Sequence, residues 1–208
     1  MIQVNRKILP DKFFVAVSAG VDSIAGAHLL HRLGYDISIC HFDHCFQSEN
    51  IWMVDNTIQF AEDFGIEVTV GQRTNGSHEI EGSIESELRN ARFKFFRSLN
   101  APIVCCHHLD DAVENYVLNF LRGCPEYMPI QWVTPLNDSE TSIIHPFLNT
   151  TKDDFLDYAK NNDLMKYVTE DESNMDTKYR RNWIRHDILP QFKDFGLRKI
   201  VRKKFYGK

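Results

Sequence analysis

Four short apolar runs, at residues 13–18, 36–42, 66–71 and 102–107, alternate with segments in which apolar residues recur at helical period. The helical patterns cover about 21–33, 50–64, 83–99 and 110–121. In the first of them Ile24, Ala27, Leu30 and Leu33 fall on roughly one face. The strand runs are almost continuously apolar, as strands covered on both faces must be. Such alternation predicts an α/β fold, a doubly wound parallel sheet with helices on both sides. In open sheets of this kind, ligands bind beyond the carboxyl ends of the strands. That rule gathers three polar clusters on one edge: residues 18–23, 41–44 and 107–111.

The first cluster is Ser18-Ala19-Gly20-Val21-Asp22-Ser23, between the first strand and the first helix. Small residues there bring backbone N–H groups together and leave room for an anion, and the helix N-terminus adds free donors and a positive dipole end. The hydroxyls of Ser18 and Ser23 could donate to phosphate oxygens. Neither G-x-x-x-x-G-K-[ST] nor G-x-G-x-x-G is present. A tight turn with Asp22 as an ordinary first-turn acid is the competing reading. The third cluster continues into Asp110, Asp111 and Glu114, whose spacing puts either aspartate on a face shared with Glu114. Such acids could bind a cation and raise one another's pKa, or simply favour the helix dipole. Arg89 and Arg92 lie one turn apart and could meet phosphate or remain solvated.

Beyond Gly123 the texture changes. Residues 124–146 carry four prolines and read as loop, with one further strand near 142–145. Residues 151–161 read as a helix capped by Thr150 or Thr151, with Asp153 and Asp154 in its first turn. A polar linker at 169–177 leads to a helical region interrupted by Pro190. The net charge is −5, yet residues 178–208 hold eleven Lys/Arg against two Asp/Glu. That excess suggests an anionic partner, nucleic acid above all, against the alternative of a merely soluble basic helix. Five cysteines without a C-x-x-C pair read as buried thiols in a reducing cytoplasm. No run is long and apolar enough to cross a membrane, and residues 1–12 lack the apolar stretch of a signal peptide.

The loop resembles S-G-G-x-D-S, the pyrophosphate loop of the N-type ATP pyrophosphatases of the PP-loop superfamily, with Ala19 in place of the first glycine. An alanine held at positive φ there costs about 1–2 kcal/mol. His41-Phe42-Asp43-His44 is similar to the H-x-[DN]-H-G-L of tRNA(Ile)-lysidine synthetases, with Cys45 in place of glycine. Residues 84–93 resemble I-E-x-x-[AL]-R-x-x-R-[YF], and residues 107–123 resemble H-H-x-D-D-x-x-E-T…L-x-R-G, with Asn115 in place of the threonine. Residues 145–148 resemble R-P-L-L, and residues 170–190 resemble E-D-x-S-N-x-D…Y-x-R-N-x-[IL]-R…P.

The resemblance covers about residues 12–192. It implies a Rossmann-like, adenine nucleotide α-hydrolase-like fold: a PP-loop catalytic domain at 1–148, then a helical, basic extension at 149–208 packed on it and facing tRNA. It implies a ligase that uses ATP to adenylate the wobble cytidine of an isoleucine tRNA with a CAU anticodon. Free lysine then displaces AMP to give lysidine. Ser18, Ala19, Gly20, Val21, Asp22, Ser23, His41 and Asp43 would bind the nucleotide, with Asp22 near Mg²⁺. Asp22, Asp110, Asp111 and Glu114 would carry catalysis. His108, Arg89, Arg92, Arg122, Arg181, Asn182 and Arg185 would bind substrate. Many members continue into further tRNA-binding domains, which a homodimer or a partner chain would replace here. Two rivals are a non-catalytic tRNA-binding or regulatory protein on a decayed PP-loop fold, and a phosphoesterase with Mn²⁺ on the His and Asp clusters.

Overall fold

The computed structural model describes residues 1–45, 50–73, 84–136, 141–169 and 176–207. Its centre is β1 (Lys12–Ala16), which pairs in parallel with β2 (Asp36–Asp43) on one side and β4 (Ile103–Cys105) on the other. Val15 faces Ile39 in one neighbour and Val104 in the other, and all three are fully buried. β3 (Val68–Gln72) extends the sheet beyond β2. β6 (Ser142–Ile144) lies beyond β4, and β5 (Val133–Pro135) closes that edge antiparallel to it. The order is β3-β2-β1-β4-β6-β5, a Rossmann-like sheet, parallel but for its last strand. Sequence patterning missed β5. It is three residues long and ends in Pro135, which only an edge strand tolerates.

Helices α1 (Val21–Arg32), α2 (Asn50–Phe64), α3 (Ile84–Ser98) and α4 (Leu109–Leu121) follow the strands as the periodicity predicts. Gly26 lets α1 lie close on the sheet, because a Cβ there would collide with the Cys106 thiol. The main core joins Phe13, Val15 and Ile39 of the sheet to Ile24 and Leu30 of α1 and to Phe60 of α2. Phe155 and Ala159 of α5 (Lys152–Asn161) complete it. Thr151 is the N-cap of α5, and Asp154 reaches back to its N–H to close a capping box.

After the linker, of which residues 170–175 lie outside the described set, α6 (Arg180–Trp183) passes into one π-helical turn at Ile184–Ile188. Pro190 opens a 3₁₀ stretch, Gly196 turns the chain at φ 67°, and α7 (Leu197–Val201) follows. Val201 and Tyr206 are buried against Leu109 and Val113 of α4 and against Met128, Ile130 and Leu148. The basic C-terminal segment is therefore part of a core. Among the described residues no helix is long and apolar enough to span a membrane.

Candidate active site

The loop between β1 and α1 is held from within. Ser23 Oγ donates to the Gly20 carbonyl (2.8 Å) and accepts from Ser18 N–H (3.2 Å). Its proton is engaged on that carbonyl, and Ser23 ties the loop together. Ser18 is exposed. Ala19 sits at φ 57°, fully buried, and its carbonyl accepts from Thr169 N–H (2.9 Å). The left-handed turn is thus formed with alanine where the motif it resembles has glycine. Cys45, the second such position, also sits at positive φ (51°). Gly20 caps α1 without a side-chain bond, whereas His108 and Thr151 close capping boxes on α4 and α5. The N–H groups of Ser23 and Ile24 donate to the Gly20 carbonyl (3.1 Å each), which leaves those of Val21 and Asp22 for an anion.

His41 supports the root of this loop. Its Nδ1 donates to the Val17 carbonyl (2.8 Å), and burial holds its pKa down against the pull of that carbonyl and of Asp43. Asp43 accepts from Cys45 N–H (2.7 Å) and fixes the turn after β2. Asp22, in the first turn of α1, has Oδ2 on Lys152 Nζ (2.7 Å) and 3.6 Å from His108 Nε2, while its buried Oδ1 has no partner. Burial raises its pKa, but His108 and Lys152 outweigh that and hold it below the usual carboxylate value. A free, buried carboxylate oxygen is what a hard cation such as Mg²⁺ takes.

The acids of α4 do not stand alone. Arg181 Nε (2.9 Å) and Arg185 Nε and Nη2 (2.6 and 3.0 Å) donate to Glu114, and Arg181 also reaches Asp111 (3.3 Å). Asp110 accepts from Lys152 N–H (2.8 Å) and from Arg198 of α7. The spacing alone suggests that these carboxylates raise one another's pKa. For Asp111 the reverse holds: burial pushes it up, but His108, His107 and Arg181 together hold it well below the carboxylate range. His108 Nδ1 lies 3.3 Å from Asp111 N and 3.5 Å from Asp111 Oδ2, so it can cap the helix when neutral or pair with the acid when charged. Burial lowers its pKa, yet Asp111, Asp22 and Asp110 raise it overall.

Ser18, Gly20, Asp22, Ser23, His41, Asp43 and Asp111 line one cleft of about 580 Å³ at the carboxyl edge of the sheet, a size usual for small-molecule sites, whereas His108, Asp110 and Glu114 neighbour Asp111 without lining it. Arg89, stacked 4.5 Å over Phe93, and Arg92 line it, as do Asn115 and Arg181. The fold does not bring Arg122 there. It caps the far end of α4, exposed, about 18 Å of helix from Asp110. Asn182 is buried and holds the Asp176 carbonyl (3.0 Å). Lys152 and Arg198 reach the acids of the site, and Thr134 and Cys105 line the cleft, without a sequence signal, whereas His145, which also lines it, opens the segment similar to R-P-L-L. Asp22 Oδ1, His44 Nδ1, Arg92 Nε, His107 Nδ1 and Thr134 Oγ1 all belong to cleft residues and are buried without a partner. The ligand set of the phosphoesterase reading is not assembled. Among the described residues, the His, Cys, Asp and Glu groups close enough to share an ion are Cys105, His107 and His145.

A family model described as a PP-loop domain matches residues 2–192. A tRNA(Ile)-lysidine synthase from Exiguobacterium sibiricum is 30% identical over 86% of this chain and 43% of its own length. One from Nitrosomonas europaea is 32% identical over 86% of this chain and 40% of its own. The chain spans about two fifths of the length of these relatives. Among solved structures, the U34-tRNA thiolase NcsA from Methanococcus maripaludis shares the fold, with a TM-score of 0.77 over 97% of this chain and 74% of that one at 18% identity. With its sheet order, its uncapped first helix and a match over nearly its whole length, the chain belongs to the PP-loop family.

Proposed function

We propose that this chain binds ATP in the cleft and uses it to modify a tRNA in the manner of the lysidine synthases it resembles. The observation that carries the reading is the set of five buried, unpartnered polar atoms in one cleft beside an uncapped helix N-terminus. Buried polar groups are paired in native structures, with protein, water or ligand, and a polar ligand in the cleft would supply partners to such atoms. The first turn of α1 would receive the pyrophosphate leaving group, and Asp22 Oδ1 would hold Mg²⁺, which supplies charge neutralisation at the phosphates. Arg89 and Arg92, which line the same cleft, would add cations.

Lysine recognition falls to the acids of α4. Glu114 and Asp111 are occupied by guanidinium groups. Asp110 is the acid of α4 assigned to the lysine ammonium. Its partner Arg198 is half exposed and can swing into water at little cost. Residues 149–208 act as a helical extension on a catalytic domain at 1–148. Exposed Tyr179, Trp183, Lys178 and Arg180 lie close in sequence to Arg181, which lines the cleft, and suit stacking and phosphate contact with single-stranded RNA. The left-handed turn kept at Ala19 favours this reading over a decayed, non-catalytic one.

The test is incubation with ATP, labelled lysine and total tRNA. Label should enter tRNA, with AMP formed in step, and Asp22→Ala should abolish both while leaving the circular dichroism unchanged. Undiminished AMP formation by the Asp22 variant would remove the nucleotide assignment. AMP without label in tRNA would move the activity to another acceptor.

A further inference from the structure

We propose that Cys105, His107 and His145 form a site for a borderline-soft divalent ion of the zinc class, with its fourth position open to the cleft. The backbone brings the donors together. β4 and β6 pair Ile103 with Ile143 and Val104 with Ile144, and continuing that register sets Cys105 opposite His145. His107 follows β4 by two residues, and its ring centroid lies 4.9 Å from that of His145. One ligand atom from each of the three lies within 4.8 Å of the others. Tetrahedral zinc, with nitrogens at about 2.0–2.1 Å and sulfur at about 2.3 Å, spaces its donors by about 3.3–3.6 Å. Closing the remaining distance of about 1 Å takes torsional adjustment within a rotamer.

The imidazoles are already prepared. His145 Nδ1 lies 2.6 Å from the Gln131 carbonyl, which can only accept, so the proton is on Nδ1 and Nε2 keeps its lone pair. A histidine that ligates a metal is oriented in the same way by a backbone carbonyl. His107 Nδ1 is buried without a partner, a cost that an ion in reach of the ring would relieve. One thiolate and two imidazoles select zinc, cobalt or a similar ion and disfavour Mg²⁺. The site is therefore chemically separate from Asp22, although all four residues line the same cleft. His145 also stands first in the segment similar to R-P-L-L. A bound ion restores positive charge where that pattern has an arginine. Its open position takes water, or an oxygen of whatever occupies the cleft.

The experiment is a cobalt titration of the chelator-treated protein, read by absorbance, with circular dichroism confirming the fold. One Co²⁺ per chain should give tetrahedral visible bands and a thiolate-to-cobalt charge-transfer band, both displaced by Zn²⁺ and not by excess Mg²⁺. Cys105→Ser should remove the charge-transfer band. His145→Gln should weaken cobalt binding by at least about 10-fold, the cost of losing even an outer hydrogen-bond partner of a ligand. No bands at stoichiometric Co²⁺ in the folded protein would overturn the site. So would bands that survive both substitutions, or that Mg²⁺ displaces.

Discussion

Glu114 is the most heavily engaged acid in the site, and the exposure of its partners fixes how it should respond to mutation. The carboxylate is 3% exposed, while the side chains of Arg181 and Arg185 are 41% and 36% exposed. Glu114→Gln keeps the volume and removes the charge. The two guanidinium groups can then turn partly into water, and Arg181 retains Asp111. What disappears is the net worth of half-screened, charge-assisted bonds, about 1–2 kcal/mol. Replacing both arginines with glutamine instead leaves a buried carboxylate without a cation, which costs about 3–5 kcal/mol. At roughly 3 °C per kcal/mol for a chain of this size, the Tm losses are about 3–6 °C against about 9–15 °C. The triple variant, with Glu114→Gln added to both arginine substitutions, should recover much of the larger loss because the orphaned charge is gone. Thermal melts and urea midpoints measure all three. The reasoning fails if Glu114→Gln is as costly as the arginine pair, or if the triple variant is no more stable than the arginine pair alone.

Two further outcomes are expected. Lys199→Glu with Lys203→Glu, both exposed, should lower the slope of log tRNA affinity against log salt by about 0.7 for each phosphate that is no longer neutralised, with the fold intact; an unchanged slope would take tRNA off this face. Acidification from about pH 6.5 to about pH 4 should lower the urea midpoint. His28 is held to about 4 by burial and by Arg32 and His31, and His44 to about 4 by burial and by Arg92, His41 and Arg73 against the opposing pull of Asp43. The unfolded chain takes up protons near 6.5 that these folded groups refuse, so stability drains away as pH falls through that window. His108 runs the other way. Its pKa is raised, so its contribution is full below 6.5 and is lost only as pH rises through the folded value. A midpoint that climbs on acidification would reverse the balance.

What the sequence revealed was local. Each buried parallel strand is an apolar run, each helix carries its own period, and the loop at 18–23 joins neighbouring elements, so all three are legible over a few residues. Contacts between distant segments leave no such trace. Lys152 reaches Asp22 across 130 positions, and Arg198 reaches Asp110 across 88. The acids of α4 looked like a mutually repelling cluster because only their own helix was in view. The arginines that reverse the sign come from α6 and its continuation. The basic segment read as an arm for RNA for the same reason. Arg181, Arg185, Arg198 and Lys204 are committed to acids within the fold, and Val201 and Tyr206 are core. Deleting residues 197–208 would therefore breach the interior as well as remove charge.

The wiring of α4 to the C-terminal helices also sets an order of events during synthesis. Glu114 and Asp111 are made 67 to 71 residues before the arginines that neutralise them. At about 5–20 residues per second, the nascent chain passes roughly 4–14 s with its acidic helix still uncompensated. During that interval the helix can keep its acids in water or attract a passing cation, but it cannot bury Glu114. Burial of that side chain is thus a late event, after α6 has been translated, and it marks the moment at which the acids of α4 are fully compensated.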